Sequence, residues 1–236
     1  MPVDVRTLLA ICRVSNLPTV WMNVLAAALL AQASPPASAV LFLMAVLSCS
    51  YCGGMVLNDY FDREHDARDQ PFRPIPSGRI RKGQARRLGT GLLAMGLGLM
   101  VFAPNPTAMV PATALLAAIY VYDRWHKDLS ASVFLMAATR TLVFVITGWA
   151  LTGGVSGLVL FAGAVSFVWT LSVTVVARQE NARGERFGFP VIPWMIAGMA
   201  LVDGILLAIF VGPGWLAVGV ATMFLTRFGQ QYVRGD

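Results

Sequence analysis

The stretch Asn58-Asp59-Tyr60-Phe61-Asp62-Arg63-Glu64-His65-Asp66 follows directly after an apolar run over residues 40–57. The apolar run predicts a membrane helix, and if that helix continues, Asn58, Asp62 and Asp66 recur every fourth residue. The first aspartate lies beside them on nearly the same face. Carboxylates that share a face repel one another, so a cation must balance them. Oxygen ligands in this arrangement suit Mg²⁺, which commonly shares its coordination with substrate phosphates.

Basic residues crowd the segment after this stretch. Within it, Arg73-Pro74-Ile75-Pro76-Ser77-Gly78 predicts a rigid loop that is rich in turns. Carboxylates that hold a metal and guanidinium groups that bind phosphate oxygens are the two parts that a metal-bound diphosphate requires. Alternatively, the basic residues only orient the chain, because cytoplasmic loops of membrane proteins carry an excess of Lys and Arg. The residues are Arg68, Arg73, Arg79, Arg81, Lys82, Arg86 and Arg87.

The composition is that of a membrane protein. The 236 residues are 57% hydrophobic and 13% charged, with a mean hydropathy of +0.67, whereas a soluble domain carries about 25% charged residues. The formal net charge of +6 would also suit a nucleic-acid partner, but the basic residues lie in short loops between apolar runs. Membrane topology explains them, and we expect no nucleic-acid partner.

Eight apolar runs have about the length that crosses 30 Å of hydrocarbon. They cover residues 17–33, 40–57, 88–103, 107–122, 131–150, 157–177, 190–211 and 214–226, and residues 1–16 are expected to be interfacial. Connections without charge alternate with charged ones, so an even number of helices satisfies the positive-inside rule. We therefore predict an all-α polytopic bundle of about eight helices, forming one domain over residues 1–236. It would lie in the cytoplasmic (inner) membrane, with both termini and all charged loops in the cytoplasm.

Further candidate residues lie outside the first stretch. Residues 120–128 mix aromatic and basic side chains, which is also typical of an aromatic belt at the membrane interface. Residues 178–188 again mix acids, an amide and arginines at the end of a helix. Arg140 lies within an apolar run, where a charge is costly unless it faces a polar cavity. Asp203 lies in a later run without an evident partner, and we assign it no role.

These motifs resemble those of the UbiA superfamily of intramembrane prenyltransferases, over nearly the whole chain. The N-D-x-x-D-x-x-x-D motif of that family matches residues 58–66, and its R-P-x-x-S-G sequel matches residues 73–78. Residues 122–127 resemble the Y-x-x-W-x-K stretch of the haem-farnesylating branch. Residues 178–188 are similar to the second acidic motif, with Arg178, Asn181 and Glu185 at positions where aspartates are usual.

The resemblance implies a central cavity whose polar mouth binds a polyprenyl diphosphate and whose walls, open to membrane lipid, take the prenyl tail. It implies Mg²⁺ as cofactor, ionisation of the donor C–O bond, and capture of an allylic cation by a small aromatic or other nucleophilic acceptor. The implied metal ligands are Asp59, Asp62, Asp66, Glu180 and Glu185. The implied diphosphate-binding residues are Asn58, Arg68, Arg73, Lys127, Arg140 and Arg178. The implied catalytic residues are Asp59, Asp62, Asp66, Lys127 and Tyr122.

Two departures from the family pattern leave alternatives open. Replacement of aspartates by Arg178 and Asn181 removes metal ligands, which fits one Mg²⁺ in place of two, direct contact of Arg178 with the diphosphate, a different acceptor, or lost catalysis. The family commonly has nine helices, so the last of them is expected to be absent from this chain.

Two rival functions are compatible with parts of the pattern. The CDP-alcohol phosphotransferases also bind metal with aspartates at helix ends, but the Gly and the Ala-Arg pair of their signature are missing after Asp59 and Asp62. A transporter or lipid-binding protein on the same scaffold would explain the altered second motif. The retained first motif argues against this reading, because a binder has no need of a self-repelling acidic cluster.

Overall fold

The computed structural model describes residues 3–126, 131–183 and 188–233. Within these ranges the chain forms nine α-helices and three short 3₁₀ segments, without a strand. The helices are α1 (Val5–Ile11), α2 (Leu17–Ala31), α3 (Ala37–Asp69), α4 (Lys82–Leu99), α5 (Met109–Trp125), α6 (Ser132–Thr152), α7 (Gly157–Arg183), α8 (Val191–Phe210) and α9 (Trp215–Tyr232).

Helices α2 to α9 coincide with the eight predicted apolar runs, and the short α1 lies in the segment predicted to be interfacial. Six segments of the described chain are long and apolar enough to cross a membrane. They are Val14–Ala31, Ala37–Asp69, Lys82–Phe102, Ser132–Thr152, Gly157–Glu180 and Val191–Phe210. The prediction of an all-α membrane bundle is confirmed, and the protein is an integral membrane protein.

Helix α3 is much longer than a membrane span. Its 33 residues extend about 50 Å at 1.5 Å per residue, whereas the hydrocarbon core is about 30 Å thick. The last turns of α3 therefore project beyond the apolar layer and carry the acidic stretch, as the sequence predicted. The helix ends at Asp69, two residues before Pro71, which cannot continue a helix.

Helices α3 and α4 pack closely because glycines face each other. A Cβ atom added at Gly53 would lie 2.9 Å from the side chain of Leu93 and 3.0 Å from the carbonyl oxygen of Gly89. One added at Gly89 would lie 2.8 Å from the side chain of Leu57. Small residues let the backbones of membrane helices approach in this way, and the contact fixes α3 one turn below its acidic end.

The predicted central cavity is present between α2, α3, α5 and α6. It has a volume of about 70 Å³. Apolar side chains of all four helices line it, together with a few polar ones from α3, α5 and α6. The polar and charged lining residues are Ser50, Tyr51, Tyr122, Asp123, Thr139 and Arg140.

Candidate active site

The three aspartates of the acidic stretch lie together on the buried face of α3. Asp59, Asp62 and Asp66 are 4%, 9% and 4% exposed, whereas Glu64 and His65 in the same stretch are exposed. This division follows from helical periodicity, because residues three and four apart share a face. The structure thus places the three predicted carboxylates on one buried face of α3.

Two arginines from different parts of the chain balance these carboxylates. Arg73 Nη1 lies 2.8 Å from Asp66 Oδ2 and 3.5 Å from Asp59 Oδ1. Arg13 Nη2 lies 3.2 Å from Asp59 Oδ1. We call these two arginines and the three aspartates of α3 the mouth cluster. Its guanidinium groups supply positive charge beside Asp59 and Asp66, since buried carboxylates are costly when unpaired.

The loop after α3 turns Arg73 back onto the helix end. Arg73 Nε donates to Gln70 Oε1 at 3.0 Å, and its backbone carbonyl accepts from the backbone N–H of Ser77 at 3.0 Å. Gly78 has φ +75°, a left-handed conformation that glycine adopts without steric cost. The turn-rich loop predicted from the sequence therefore positions Arg73 next to Asp66.

Arg13 occupies an unusual backbone conformation between α1 and α2. Its φ of +46° lies in the left-handed region, which is uncommon for a residue other than glycine. Strained conformations of this kind persist where the surrounding structure requires them. Here the conformation accompanies the ion pair with Asp59.

His126, directly after α5, and residues of α6 and α7 complete the other side of the mouth. His126 Nε2 lies 3.4 Å from Asp62 Oδ2, and its ring stacks on Tyr122 with centroids 5.0 Å apart. Ser132 Oγ donates to the carbonyl oxygen of His126 at 3.0 Å and accepts from Arg178 Nη2 at 2.7 Å. The structure thus connects the end of α7 to the first acidic stretch.

One turn deeper, Asn58 and Asp123 form a pair between α3 and α5. Asn58 Nδ2 donates to Asp123 Oδ1 at 3.3 Å. Asp123 is 4% exposed and lines the cavity, and its Oδ2 has no hydrogen-bond partner among the described residues. Asn58, predicted to bind diphosphate, therefore orients a carboxylate in this structure.

Arg140 belongs to a separate polar group at the floor of the cavity. Its Nη1 donates to Asn23 Oδ1 at 2.8 Å and its Nη2 to Thr19 Oγ1 at 3.2 Å. Asn23 Nδ2 in turn donates to Asp203 Oδ2 at 2.6 Å. We call these four residues the floor network. Asp203, which had no evident partner in the sequence, is thereby linked to Arg140 through an amide.

The structure does not bring Arg140 to the mouth. At 1.5 Å per residue, it lies about 12 Å deeper along α6 than Ser132, which is in contact with the residues of the mouth. Its guanidinium lies over the ring of Tyr51, 5.8 Å from the centroid, about 12 Å below Asp59 along α3 by the same rise. Arg140 thus lies about two helical turns deeper in the membrane than the predicted diphosphate position.

The remaining predicted site residues have different positions. Arg68 is exposed in the last turn of α3, and Glu180 is half-buried near the end of α7. Lys127 and Glu185 lie outside the described residues. Among the described residues, no three Asp, Glu, His or Cys side chains are close enough to hold a metal ion by themselves.

The mouth nevertheless fits Mg²⁺ of the kind that arrives with a phosphate. Mg²⁺ usually takes one or two carboxylates and completes its octahedron with water and substrate phosphates. Nη1 of Arg73 already places one positive group near oxygens of both Asp59 and Asp66. The donor set is oxygen only, which suits a hard cation. A closed metal site of five protein ligands, as the family resemblance implied, is not assembled among the described residues.

Sequence reasoning missed three residues of the site: Arg13, Asp123 and His126. Asp123 and His126 lie in the segment of residues 120–128, where the family motif assigns roles only to Tyr122 and Lys127. Arg13 lies before the first apolar run, where a basic residue is ordinary for membrane topology. For Asp123 and His126, the sequence signal was their position within the aromatic and basic segment of residues 120–128.

The sequence is similar to those of known membrane prenyltransferases. Residues 18–229 match the sequence model of the UbiA prenyltransferase family. The chain is 31% identical over 133 residues to a digeranylgeranylglyceryl phosphate synthase of Korarchaeum cryptofilum, covering 56% of this chain and 47% of that protein. It is 30% identical over 229 residues to a protoheme IX farnesyltransferase of Gluconacetobacter diazotrophicus, covering 86% of this chain and 70% of that protein.

The fold is also found among solved structures. A UbiA homologue from Archaeoglobus fulgidus, solved with GPP and Mg²⁺ bound, superposes with a TM-score of 0.62 at 16% identity. The superposition covers 93% of this chain and 86% of that one. The chain spans about half the length of the Korarchaeum cryptofilum relative.

Proposed function

Since this chain belongs to the UbiA prenyltransferase family, we propose that it transfers a prenyl group from a polyprenyl diphosphate to a small nucleophilic acceptor within the membrane. The observation that carries this proposal is the mouth cluster. Three buried carboxylates and two guanidinium groups meet at the polar end of an apolar cavity, which is the arrangement that a metal-bound diphosphate with an apolar tail requires.

In this proposal the mouth binds the donor diphosphate. Asp59, Asp62 and Asp66 would hold Mg²⁺, which would supply positive charge beside the diphosphate and so favour departure of the leaving group. Arg73 exchanges its contact with Asp66 for phosphate oxygens, and Arg13 can do the same from the opposite side. Stabilising the charge that develops on a leaving group is the largest catalytic contribution open to such a site.

The end of α7 and the following loop contribute a second set of groups. Arg178 lies within reach of the mouth through Ser132 and His126, and we propose that it binds the diphosphate directly. Lys127 has the same role in the proposal, and Glu180 and Glu185 are supporting metal ligands. An arginine where an acid is usual favours one tightly held Mg²⁺ over two, because it adds positive charge in place of a metal ligand.

The cavity shields the carbocation. Ionisation of the donor leaves an allylic cation below the mouth, among apolar side chains of α2, α3, α5 and α6 that exclude water. The face of Tyr122, which lines the cavity, stabilises the cation by about 0.5–2 kcal/mol. The acceptor differs between the named relatives, whose products are a glyceryl phosphate lipid and a farnesylated haem, so we propose only that it is small and nucleophilic.

The orientation in the membrane follows from charge. Arg79 and Arg81, in the loop between α3 and α4, are exposed, and the positive-inside rule favours a cytoplasmic position for this loop. We propose that the mouth, both termini and the end of α7 face the cytoplasm from the inner membrane, and that residues 1–236 act as one domain.

The test uses purified protein in lipid nanodiscs with Mg²⁺ and polyprenyl diphosphates of several chain lengths. Released diphosphate and prenylated products are followed by mass spectrometry against a pool of small molecules from a cell extract. We expect a product that is absent without Mg²⁺ and with Asp62→Ala, while Asp69→Ala, on the exposed end of the same helix, retains it. If donors bind but no diphosphate is released under any condition, the protein is a binder or transporter on this scaffold.

A further inference from the structure

Prenyl transfer to a neutral nucleophile cannot finish without a proton acceptor, because the attacked atom of the acceptor carries a hydrogen that must leave. We propose that Oδ2 of Asp123 accepts this proton and that Asn58 positions the Asp123 carboxylate. The proposal rests on the proposed function and names the catalytic group for its last step.

The position of Asp123 matches the depth at which the reacting carbon lies. Asp62 and His126 meet at the mouth, where the diphosphate binds. Asn58 precedes Asp62 by one helical turn, about 6 Å of rise, and its partner Asp123 precedes His126 by nearly one turn. The Asn58–Asp123 pair is therefore one turn below the diphosphate, on the side towards which the prenyl tail extends.

The hydrogen bonding of Asp123 leaves one oxygen available. Oδ1 accepts from Asn58 Nδ2 at 3.3 Å, which stabilises the ionised carboxylate and fixes its plane. Oδ2 is buried and has no partner among the described residues, although buried carboxylate oxygens are normally hydrogen-bonded. Oδ2 lies beside the cavity, whose volume is about 70 Å³, so a ligand that enters the cavity can supply the missing hydrogen-bond partner.

The other buried acids are engaged elsewhere. Asp59 and Asp66 contact arginines, and Asp62 contacts His126. Asp203 accepts from Asn23 behind the cavity floor. Among the described residues that line the cavity, Asp123 is the one carboxylate. Its location is thus suited to receive a hydrogen bond from an O–H or ring C–H acceptor that enters from the lipid side.

The C1–O bond of the donor breaks and its electron pair leaves with the diphosphate, which gives the allylic cation. An electron pair of the acceptor forms the new bond to C1, and the hydrogen on the attacked atom passes as a proton to Asp123 Oδ2. Taking up the proton removes a buried charge, which compensates part of the cost of holding it. The proton then returns to water when the product leaves.

The test separates ionisation from transfer. Wild type and Asp123→Asn are each incubated with geranyl diphosphate, Mg²⁺ and a pool of phenols and glycerol phosphates. Two quantities are measured: the release of diphosphate, and the ratio of prenylated acceptor to geraniol, which forms when water captures the cation. The asparagine keeps an oxygen for Asn58 but is not a base. We expect diphosphate release within about 3-fold of wild type and a ratio lowered at least about 10-fold, since general bases contribute 10²–10⁴-fold.

Two further variants complete the design. Asp69→Asn makes the same chemical change on a carboxylate that is exposed and pairs with His65, and should leave both readouts unchanged. Asp123→Glu keeps a carboxylate and should restore most of the product ratio, even if Asp123→Asn folds poorly. An unchanged ratio in Asp123→Asn overturns the proposal, and so does a ratio that Asp123→Glu fails to restore. Absence of diphosphate release from wild type overturns the proposed function itself.

Discussion

The bundle contains two groups of buried charges, and they are built in opposite ways. In the mouth cluster, three carboxylates come from one face of α3. Asp59 and Asp66 contact arginines that reach in from a loop and from the link between α1 and α2. In the floor network, each of α2, α6 and α8 contributes to a chain that runs from Arg140 through Asn23 to Asp203.

The two groups differ in whether a ligand can replace the contacts of their charged side chains. The arginines of the mouth contact carboxylates directly, so a metal ion and a diphosphate can replace those contacts with equivalent ones. The charges of the floor are joined through a neutral amide and deeply buried, where separating them is costly. We infer that the mouth binds ligands and that the floor holds α2, α6 and α8 together.

The largest effect is expected from Asp66→Asn in the mouth. The change removes a carboxylate that contacts Arg73 at 2.8 Å and is assigned to Mg²⁺. Diphosphate release from geranyl diphosphate should fall by about 100-fold or more, the size of effect that follows loss of one electrostatic group in an active site. Release is measured in nanodiscs beside Asp69→Asn, and a loss below 3-fold would remove Asp66 from the site.

At the floor, Asp203→Leu should lower stability more than rate. It leaves the Arg140 guanidinium buried without a counter-charge, at a cost of about 3–5 kcal/mol. The thermal midpoint should fall, while diphosphate release per folded molecule stays within about 3-fold. The double variant Arg140→Met with Asp203→Leu should recover part of the midpoint, because replacing both charges by apolar groups is often neutral. No recovery would show that the two charges are not coupled.

Arg73→Lys tests the geometry of the mouth separately from its charge. A lysine keeps the positive charge but cannot reach Asp66, Asp59 and Gln70 at once, as the guanidinium fork does. We expect about a 10-fold slower release of diphosphate. Arg79→Lys, on an exposed residue of the same loop, is the control. Equal rates for both variants would mean that only the charge of residue 73 matters.

Arg68→Ala should have the smallest effect. The sequence placed Arg68 among the diphosphate-binding residues, but its side chain is exposed in the last turn of α3. Release of diphosphate should change by less than about 2-fold. A larger loss, measured in the same assay, would mean that the mouth extends farther towards the cytoplasm than the buried carboxylates indicate.

The two groups also differ in how far sequence predicts them. The mouth depends on local spacing. Asp59, Asp62 and Asp66 share a helix face by periodicity alone. Pro74, Pro76 and Gly78 predict the turn that brings Arg73 back to the end of α3. Both features were predicted. The apolar runs predicted the eight longer helices, because the thickness of the membrane sets the length of a membrane-spanning helix.

Contacts between distant segments could not be predicted in this way. Asp203 pairs with Asn23 across 180 positions of sequence, and nothing near Asp203 in the sequence marks its partner. Arg140 was recognised as a costly intramembrane charge, but its depth relative to Asp59 depends on how α6 packs against α3. Arg13 and His126 were missed because each acts on an aspartate of another helix.

The most direct test of this account measures Mg²⁺-dependent release of diphosphate from geranyl diphosphate by three proteins in identical nanodiscs. They are wild type, Asp66→Asn in the mouth and Asp203→Asn at the floor, each normalised to folded protein. We predict that wild type and Asp203→Asn release diphosphate only when Mg²⁺ is present, and that Asp66→Asn releases almost none. Equal loss in the two variants, or release that persists in wild type without Mg²⁺, would contradict the account.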